Sequence, residues 1–448
     1  MLEILQNICV IKIFNIPIIV IANLFGAIFL MFRLKFINIL DFFKSVKFVQ
    51  TSLVKSEAKK PMNLFLTQFG GNLGIGTIAG GIFALKFGGA SVIFWFLAIG
   101  FVLSLIKFSE ITIGHKYRSK SKEVNFGGMF YVVENSNIKL PKLIKKTISK
   151  IIAISTTILI IIAVSFQFSQ MNSIILPNLN SGNFNVKDFI ILSVIVLFIC
   201  YILFGKIDKI INFSKIAVPI MIVVYIALMF IIIFQLRKLI PNATQLIFNS
   251  ILDFKAGLSA LIATIVVVIQ RLCFAAEIGL GTSSMIHSNS AVKYPAQQGY
   301  FAIIDSFVIS SFLAMTSFVA LLMTIYASYD LSSGIFIFSG YIDEHISKYI
   351  FEIVVVLFAL TTVTSNSYCF KTCIGYVTKR FLNKTYSCLY LLSILVATIF
   401  FSSLELLAIA DFICLVLIVV NILIITLLSK EVKEELINFK LDFTKKIK

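Results

Sequence analysis

The sequence predicts an all-α polytopic membrane protein of about eleven transmembrane helices, with an inverted 5+5 repeat core whose first and sixth helices are discontinuous. Three observations carry that prediction. Of 448 residues, 59% are hydrophobic and 13% charged, and a mean hydropathy of +1.00 is too high for a chain folded around one aqueous core. Eleven apolar runs are long enough to span a bilayer. Two of them are interrupted by glycine, as GGNLGIGTIAGG at residues 70 to 81 and EIGLGTSS at 277 to 284.

The runs lie near residues 14–34, 62–86, 89–114, 147–176, 187–204, 211–236, 256–285, 297–327, 349–377, 386–401 and 405–429. Residues 1 to 13 hold one lysine and no small-residue cleavage pattern, so the first run reads as a retained helix and not a signal peptide. The loop after it carries Arg33, Lys35, Lys44, Lys47, Lys55, Lys59 and Lys60. The loop after the third carries Lys116, Arg118, Lys120, Lys122, Lys139, Lys142, Lys145, Lys146 and Lys150. Basic loops of this kind stay on the cytoplasmic side. The alternate loops agree, since residues 177 to 187 hold only Lys187 and residues 328 to 348 set Asp330, Asp343 and Glu344 against Lys348. The N-terminus is therefore expected outside and the basic tail, 430–448, inside.

Setting 14–34 aside as an extra helix leaves ten, and the glycine breaks divide them into 62–236 and 256–429. Five helices per half is odd, so the halves are expected to be inverted within one integral membrane domain, 1–448. The breaks match in sequence: Gly74-Ile75-Gly76-Thr77 against Gly279-Leu280-Gly281-Thr282. Paired interruptions of this kind point to a midplane substrate and ion site, because non-helical backbone at bilayer depth survives only where it lines a cavity or is buried.

The net charge of +18 sits in short loops between apolar runs, where it sets orientation and gives no reason to expect nucleic acid as a partner. The seven cysteines, Cys9, Cys200, Cys273, Cys369, Cys373, Cys388 and Cys414, show no metal-ligand spacing and read as packing residues. There is no P-loop or cofactor motif, no nucleophile–base pair, and no histidine constellation among His115, His287 and His345. Neither an enzyme nor an ATP-driven pump is expected, and no cofactor or obligate protein partner is implied. An ion gradient is the expected energy source.

A broken helix offers free N–H groups and a positive half-helix end to a carboxylate, and unpaired carbonyls to an ammonium group or small cation. Gly74, Ile75 and Gly76 are thus candidates to hold a substrate carboxylate, against the plainer reading of close helix packing through small residues. Glu277, at the second break, can orient the unwound strand, attract an ammonium group or change protonation; equally, it can be a carboxylate accepting backbone N–H bonds at a helix start. Asp305 reads as a partner of Arg271 or part of an inner vestibule. Lys107, Glu110 and His115 read as snorkelling side chains near a cytoplasmic end.

The stretch NLGIGTIAGGIFALKFGGASVIFWFLAIGFVLSLIKFSEITIGHKYR, followed by GGMFYVV, then FSQMNS, RLCFAAEIGLGTSSMIHSNSAVKYPAQQG, IDSF and IADFICLVLIVVN, resembles the alanine or glycine:cation symporter family (sodium:alanine symporters) of bacteria and archaea. The matches run in order across residues 70 to 421. The resemblance implies eleven helices around a leucine-transporter-type ten-helix core. It further implies sodium-coupled symport of small neutral amino acids, alanine or glycine class, by alternating access. A sodium ion is then implied at the carbonyls of Gly70, Leu73 and Phe358 with the hydroxyls of Thr361 and Thr362. Beside Gly74 to Gly76, it puts Thr77, Phe166, Gln170, Phe274, Ala276, Glu277, Gly279 and Asn366 at the substrate. Departures gather there too. Thr77 replaces an asparagine, Phe166-Gln167 a glycine-asparagine pair, Ala275-Ala276 a serine-asparagine pair, and Asn366 an aromatic. A proton-coupled or specificity-shifted carrier, or a non-transporting amino-acid receptor, therefore stays open beside the sodium symporter.

Overall fold

The computed structural model describes residues 12–13, 16–54, 59–119, 126–175, 186–205, 207–251, 257–327, 329, 331, 334–379 and 384–447. Cys9, the loop lysines Lys55, Lys120 and Lys122, Asp330 and most of the loop at 177–187 lie outside the described residues. A two-residue β-pair, Lys12–Ile13 with Ile16–Pro17, precedes helix α1 (Ile18–Arg33). Short α2 (Ile37–Leu40) and α3 (Phe42–Val54) follow. The second apolar run forms two helices, α4 (Lys59–Asn72) and α5 (Ile75–Gly88). Next come α6 (Val92–Lys116), α7 (Met129–Asn135), α8 (Lys142–Ile175), α9 (Val186–Leu203) and α10 (Ile207–Gln235). The second half runs α11 (Ile240–Ile251), α12 (Gly257–Ala276), α13 (Thr282–His287), α14 (Pro295–Ala327), α15 (Phe336–His345) and α16 (Lys348–Thr378). It ends with α17 (Lys384–Phe400), α18 (Ser403–Leu427) and α19 (Ser429–Ile447).

Each of the eleven apolar runs coincides with a helix or, at the two glycine breaks, with a pair of helices. Among the described residues, seven helices are long and apolar enough to cross a membrane: Val92–Lys116, Lys142–Ile175, Ile207–Gln235, Ser259–Ala276, Pro295–Ala327, Tyr349–Thr378 and Ser403–Leu427. Ile18–Arg33, Ile75–Gly88, Ser193–Leu203 and Lys384–Phe400 are shorter apolar helices. The chain is thus a multi-pass membrane protein. The helices that hydropathy does not announce, among them α3, α7, α11, α15 and α19, are too short or too polar to span.

Small residues bring the helices together, since apolar side chains gain little by leaving lipid for one another. The most extensive helix pairing, α6 against α14, is packed so closely that a Cβ on Gly100 would lie 1.8 Å from Ser310 Oγ, and one on Gly299 2.6 Å from Thr112 Oγ1. The hydroxyls bond back along their own helices, as Thr112 to Phe108 and Ser310 to Ser306, so neither of these two donors is left without an acceptor. α8 packs on α16 and α18, and α5 on α12 and α14. Thr264 donates to the Gly88 carbonyl at 3.0 Å and Ser317 to that of Gly81 at 2.9 Å, pinning α5 to both partners. Ser402 and Glu405 form a reciprocal capping box at the start of α18.

Candidate substrate and ion site

Both breaks fall at the glycines. Gly74, between α4 and α5, is extended (φ −122°, ψ −178°). Thr77 closes this gap: its hydroxyl donates to the Asn72 carbonyl at 3.0 Å and accepts from the Gly74 N–H at 3.4 Å. The first turn of α5 leaves the N–H groups of Ile75 and Gly76 without intrahelical acceptors. At the second break the chain leaves α12 through Glu277 (φ 50°), Gly279 (φ 76°) and Gly281 (φ 89°) before α13. Left-handed backbone is easy for the two glycines and strained for Glu277. Asn421 of α18 donates to the Gly279 carbonyl at 2.9 Å, which satisfies an acceptor that the helix has released.

A polar chain joins the breaks. Glu277 Oε2 accepts from Thr282 at 2.5 Å and from Gln68 Nε2 at 2.7 Å. The same Gln68 amide reaches Asn72 at 2.7 Å, and Asn72 Nδ2 donates to Asp305 at 3.1 Å. Asp305 is ion-paired with Lys107, whose ammonium also donates to the Ala276 carbonyl at 2.6 Å. The chain therefore starts at Glu277 and returns to Ala276, its neighbour at the end of α12. The negative end of that helix meets a cation. Glu110 is wholly buried beside Lys107 and faces the Gly281 and Ser284 N–H groups.

This arrangement differs from the expectation of snorkelling. Lys107 and Glu110 are fully buried and His115 nearly so, because Asp305 of α14 and the Ala276 carbonyl cover Lys107, the second break and the start of α13 cover Glu110, and Ser290 meets His115. Nor does Asp305 meet Arg271. Arg271 instead pairs with Asp411 of α18 and stands 5.9 Å from the Phe274 ring.

Between the breaks lies a cavity of 30 Å³, room for about two waters. Of the substrate candidates, Gly76, Thr77, Phe274, Glu277 and Asn366 line it. Phe166 meets Phe274 edge-on at 6.0 Å between ring centroids, and both rings crowd Gly76. Gly74 abuts Gln167 and Thr362 beside the cavity. Ile75 is wholly buried, Gly279 is held by Asn421, and Ala276 turns its carbonyl to Lys107. Gln170 lies toward Gly334 and Phe83, one turn along α8 from Gln167 and outside the cavity lining.

Of the sodium candidates, Thr361 and Thr362 lie against Gly70. Thr362 Oγ1 donates to the Gly70 carbonyl at 3.3 Å, and Thr361 Oγ1 lies 2.9 Å from the Leu357 carbonyl and 3.1 Å from that of Phe358. A Cβ on Gly70 would come within 3.3 Å of Thr361 and 2.5 Å of Val218. Leu73 is buried at the end of α4. These are hard oxygen ligands of the kind an alkali cation takes, and the described residues hold no group of three or more His, Cys, Asp or Glu placed for a metal ion.

Sequence reasoning missed Gln68 and Asn72, named Gln167 only as a departure beside Phe166, and gave Asp305 to Arg271 where the structure pairs it with Lys107. A signal existed: a lysine and an aspartate inside apolar runs are costly apart and call for each other, and Gln68 and Asn72 share a face at i, i+4.

Three relatives bear on the site. The chain is 23% identical over 410 residues to the amino-acid carrier protein AlsT of Bacillus subtilis, covering 90% of this chain and 85% of that one. It is 25% identical to the probable sodium/glutamine symporter GlnT of the same organism, over 93% and 86% of the two chains. To the sodium/alanine symporter AgcS of Methanococcus maripaludis it is 26% identical, over 65% and 64%. The sequence profile of the sodium:alanine symporter family matches residues 2–448, and the chain belongs to that family.

Proposed function

We propose that the protein is a secondary transporter that carries a small neutral amino acid, of the alanine or glycine class, with sodium across the bacterial plasma membrane by alternating access. The observation that carries this reading is the meeting of two broken helices around one cavity, with the Gly70, Thr361 and Thr362 oxygens beside the first break. The N–H groups of Ile75 and Gly76 take the substrate carboxylate; Gly74, Thr77, Phe274, Glu277 and Asn366 form the surrounding wall with Phe166, Gln170, Ala276 and Gly279 behind it. Leu73 and Phe358 add carbonyls to the cation. A cavity of 30 Å³ is smaller than an amino acid, so the described conformation is contracted, and binding must move the Phe166–Phe274 pair or Gln167.

Eleven spans and an inverted 5+5 repeat, residues 62–236 and 256–429, fit the packing. The second helices of the halves, α6 and α14, form one pair, and the third helices, α8 and α16, another. Such pairs suit rigid-body rocking of one set against the other. A second reading, proton coupling, is favoured by Glu110, Glu277 and Asp305 surrounding the second break with one lysine, Lys107, facing them among the described residues. A relative from Bacillus sp. (strain PS3), 25% identical over 51% of this chain and 49% of its own, is named a sodium/proton-dependent alanine carrier.

Uptake of labelled alanine and glycine into proteoliposomes separates the readings. Sodium-driven accumulation that Thr361→Val or Thr362→Val abolishes is the expected result. Accumulation driven by a proton gradient and indifferent to sodium overturns the sodium reading in favour of the second, and binding without uptake overturns both.

A further inference from the structure

Near the first break two amide oxygens, Gln68 Oε1 and Gln167 Oε1, are buried without a partner, and Gln167 Oε1 is the one that meets Gly74. The side chain is 6% exposed, and the oxygen is buried without a hydrogen-bond partner. An acceptor left in that state costs about 1–3 kcal/mol, so a water or a cation in the cavity it lines is expected to meet it. Its position says which kind. A Cβ on Gly74 would lie 1.9 Å from Gln167 Oε1 and 2.7 Å from Thr362 Oγ1, so both oxygens press on the same side of the unwound residue. Thr362 is in turn bonded to the Gly70 carbonyl.

We propose that Gln167 is a ligand of the small cation held at the first break, adding an amide oxygen from α8 to those of Gly70 and Thr362. This assignment rests on the sodium reading given above. A convergence of neutral oxygens repels a carboxylate and attracts a positive charge, and an amide oxygen is a hard ligand suited to an alkali cation. The ion then holds three helices together, α4 at Gly70, α16 at Thr362 and α8 at Gln167. A substrate ammonium group shares this chemistry, so sodium and amino acid are titrated separately.

The test is the melting temperature of the purified full-length protein in detergent against sodium chloride, with choline chloride holding ionic strength. Alanine is then titrated at saturating sodium. In Gln167→Met, which keeps the length and removes the oxygen, half of the sodium-induced shift is expected to need about ten-fold more sodium, a larger change than any in alanine affinity at saturating sodium, which the place of Gln167 on the cavity wall allows. Gln167→Asn, whose amide falls one methylene short of Gly74, shows the same direction and serves if Gln167→Met does not fold. An unchanged sodium response in both, while Thr362→Val loses it, overturns the assignment and leaves the sodium reading intact. Loss of alanine affinity with sodium binding retained also overturns it, by giving the amide to the substrate. A wild-type protein indifferent to sodium removes the sodium reading itself.

Discussion

Thr77 holds the ends of a broken helix with one hydroxyl, which donates to Asn72 and accepts from Gly74. Valine has nearly the same shape and neither bond. Thr77→Val leaves the Asn72 carbonyl and the Gly74 N–H only the bond they already share at 3.1 Å, and the loss of a net hydrogen bond costs about 0.5–1.5 kcal/mol. The substitution is expected to lower the melting temperature of the purified protein, and an unchanged melting temperature would show that the bridge contributes nothing. Gly74→Ala acts differently: its Cβ meets Gln167 and Thr362, so transport is expected to fail while the helices still pack. From the sequence, the glycine spacing announced where the backbone opens. It did not announce that Thr77 closes the opening, because a hydroxyl's partner is set by local backbone geometry and not by spacing.

At the scale of elements, α6 and α14 meet through Lys107 and Asp305, both fully buried, and through them the two breaks. Removing one partner of such a pair leaves an uncompensated charge, at a cost of about 3–5 kcal/mol. Lys107→Met is therefore expected to destabilise strongly. Lys107→Met with Asp305→Asn, which keeps a hydrogen-bonding partner for Asn72, is expected to recover most of the loss. Equal melting temperatures for the single and double variants would refute the pairing. The helices themselves were legible, since apolar length and glycine position mark all eleven runs and both breaks. Their partners were not. Lys107 looked peripheral by its distance from the end of its run, and only the lie of α14 across α6 shows that no path to water remains. Arg271 and Asp411 are likewise 140 residues apart, and their pairing is a property of tertiary packing.

For the molecule as a whole, one end of the bundle is tied by groups far apart in the chain. The Asp41 carboxylate is bonded to Lys44 at 2.8 Å, to Lys440 of α19 at 2.5 Å and to Tyr300 of α14 at 3.1 Å. Lys116, at the end of α6, pairs with Glu431 and Glu435 of α19. The segments after α1, after α6, before α14 and after α18 thus share one face, as an alternating topology requires, and their lysines make that face the cytoplasmic one under our reading. Burial raises the Asp41 pKa, but the two ammonium groups outweigh it and hold the carboxyl below its ordinary 3.8. A carboxyl lowered on folding contributes stability that is fully present above its unfolded value and is lost as pH falls through the folded one. Asp41→Asn should therefore cost stability by a constant amount at pH 5 to 7, about 1 kcal/mol because the lysines reach into water. The difference between wild type and variant should shrink below pH 3.8. Thermal unfolding across that range decides it: a difference that persists or grows on acidification would mean that Asp41 does not hold α19 by charge. Lys440→Met should reproduce the same pH dependence from the other side of the pair, because what is lost in acid is the attraction and not either side chain.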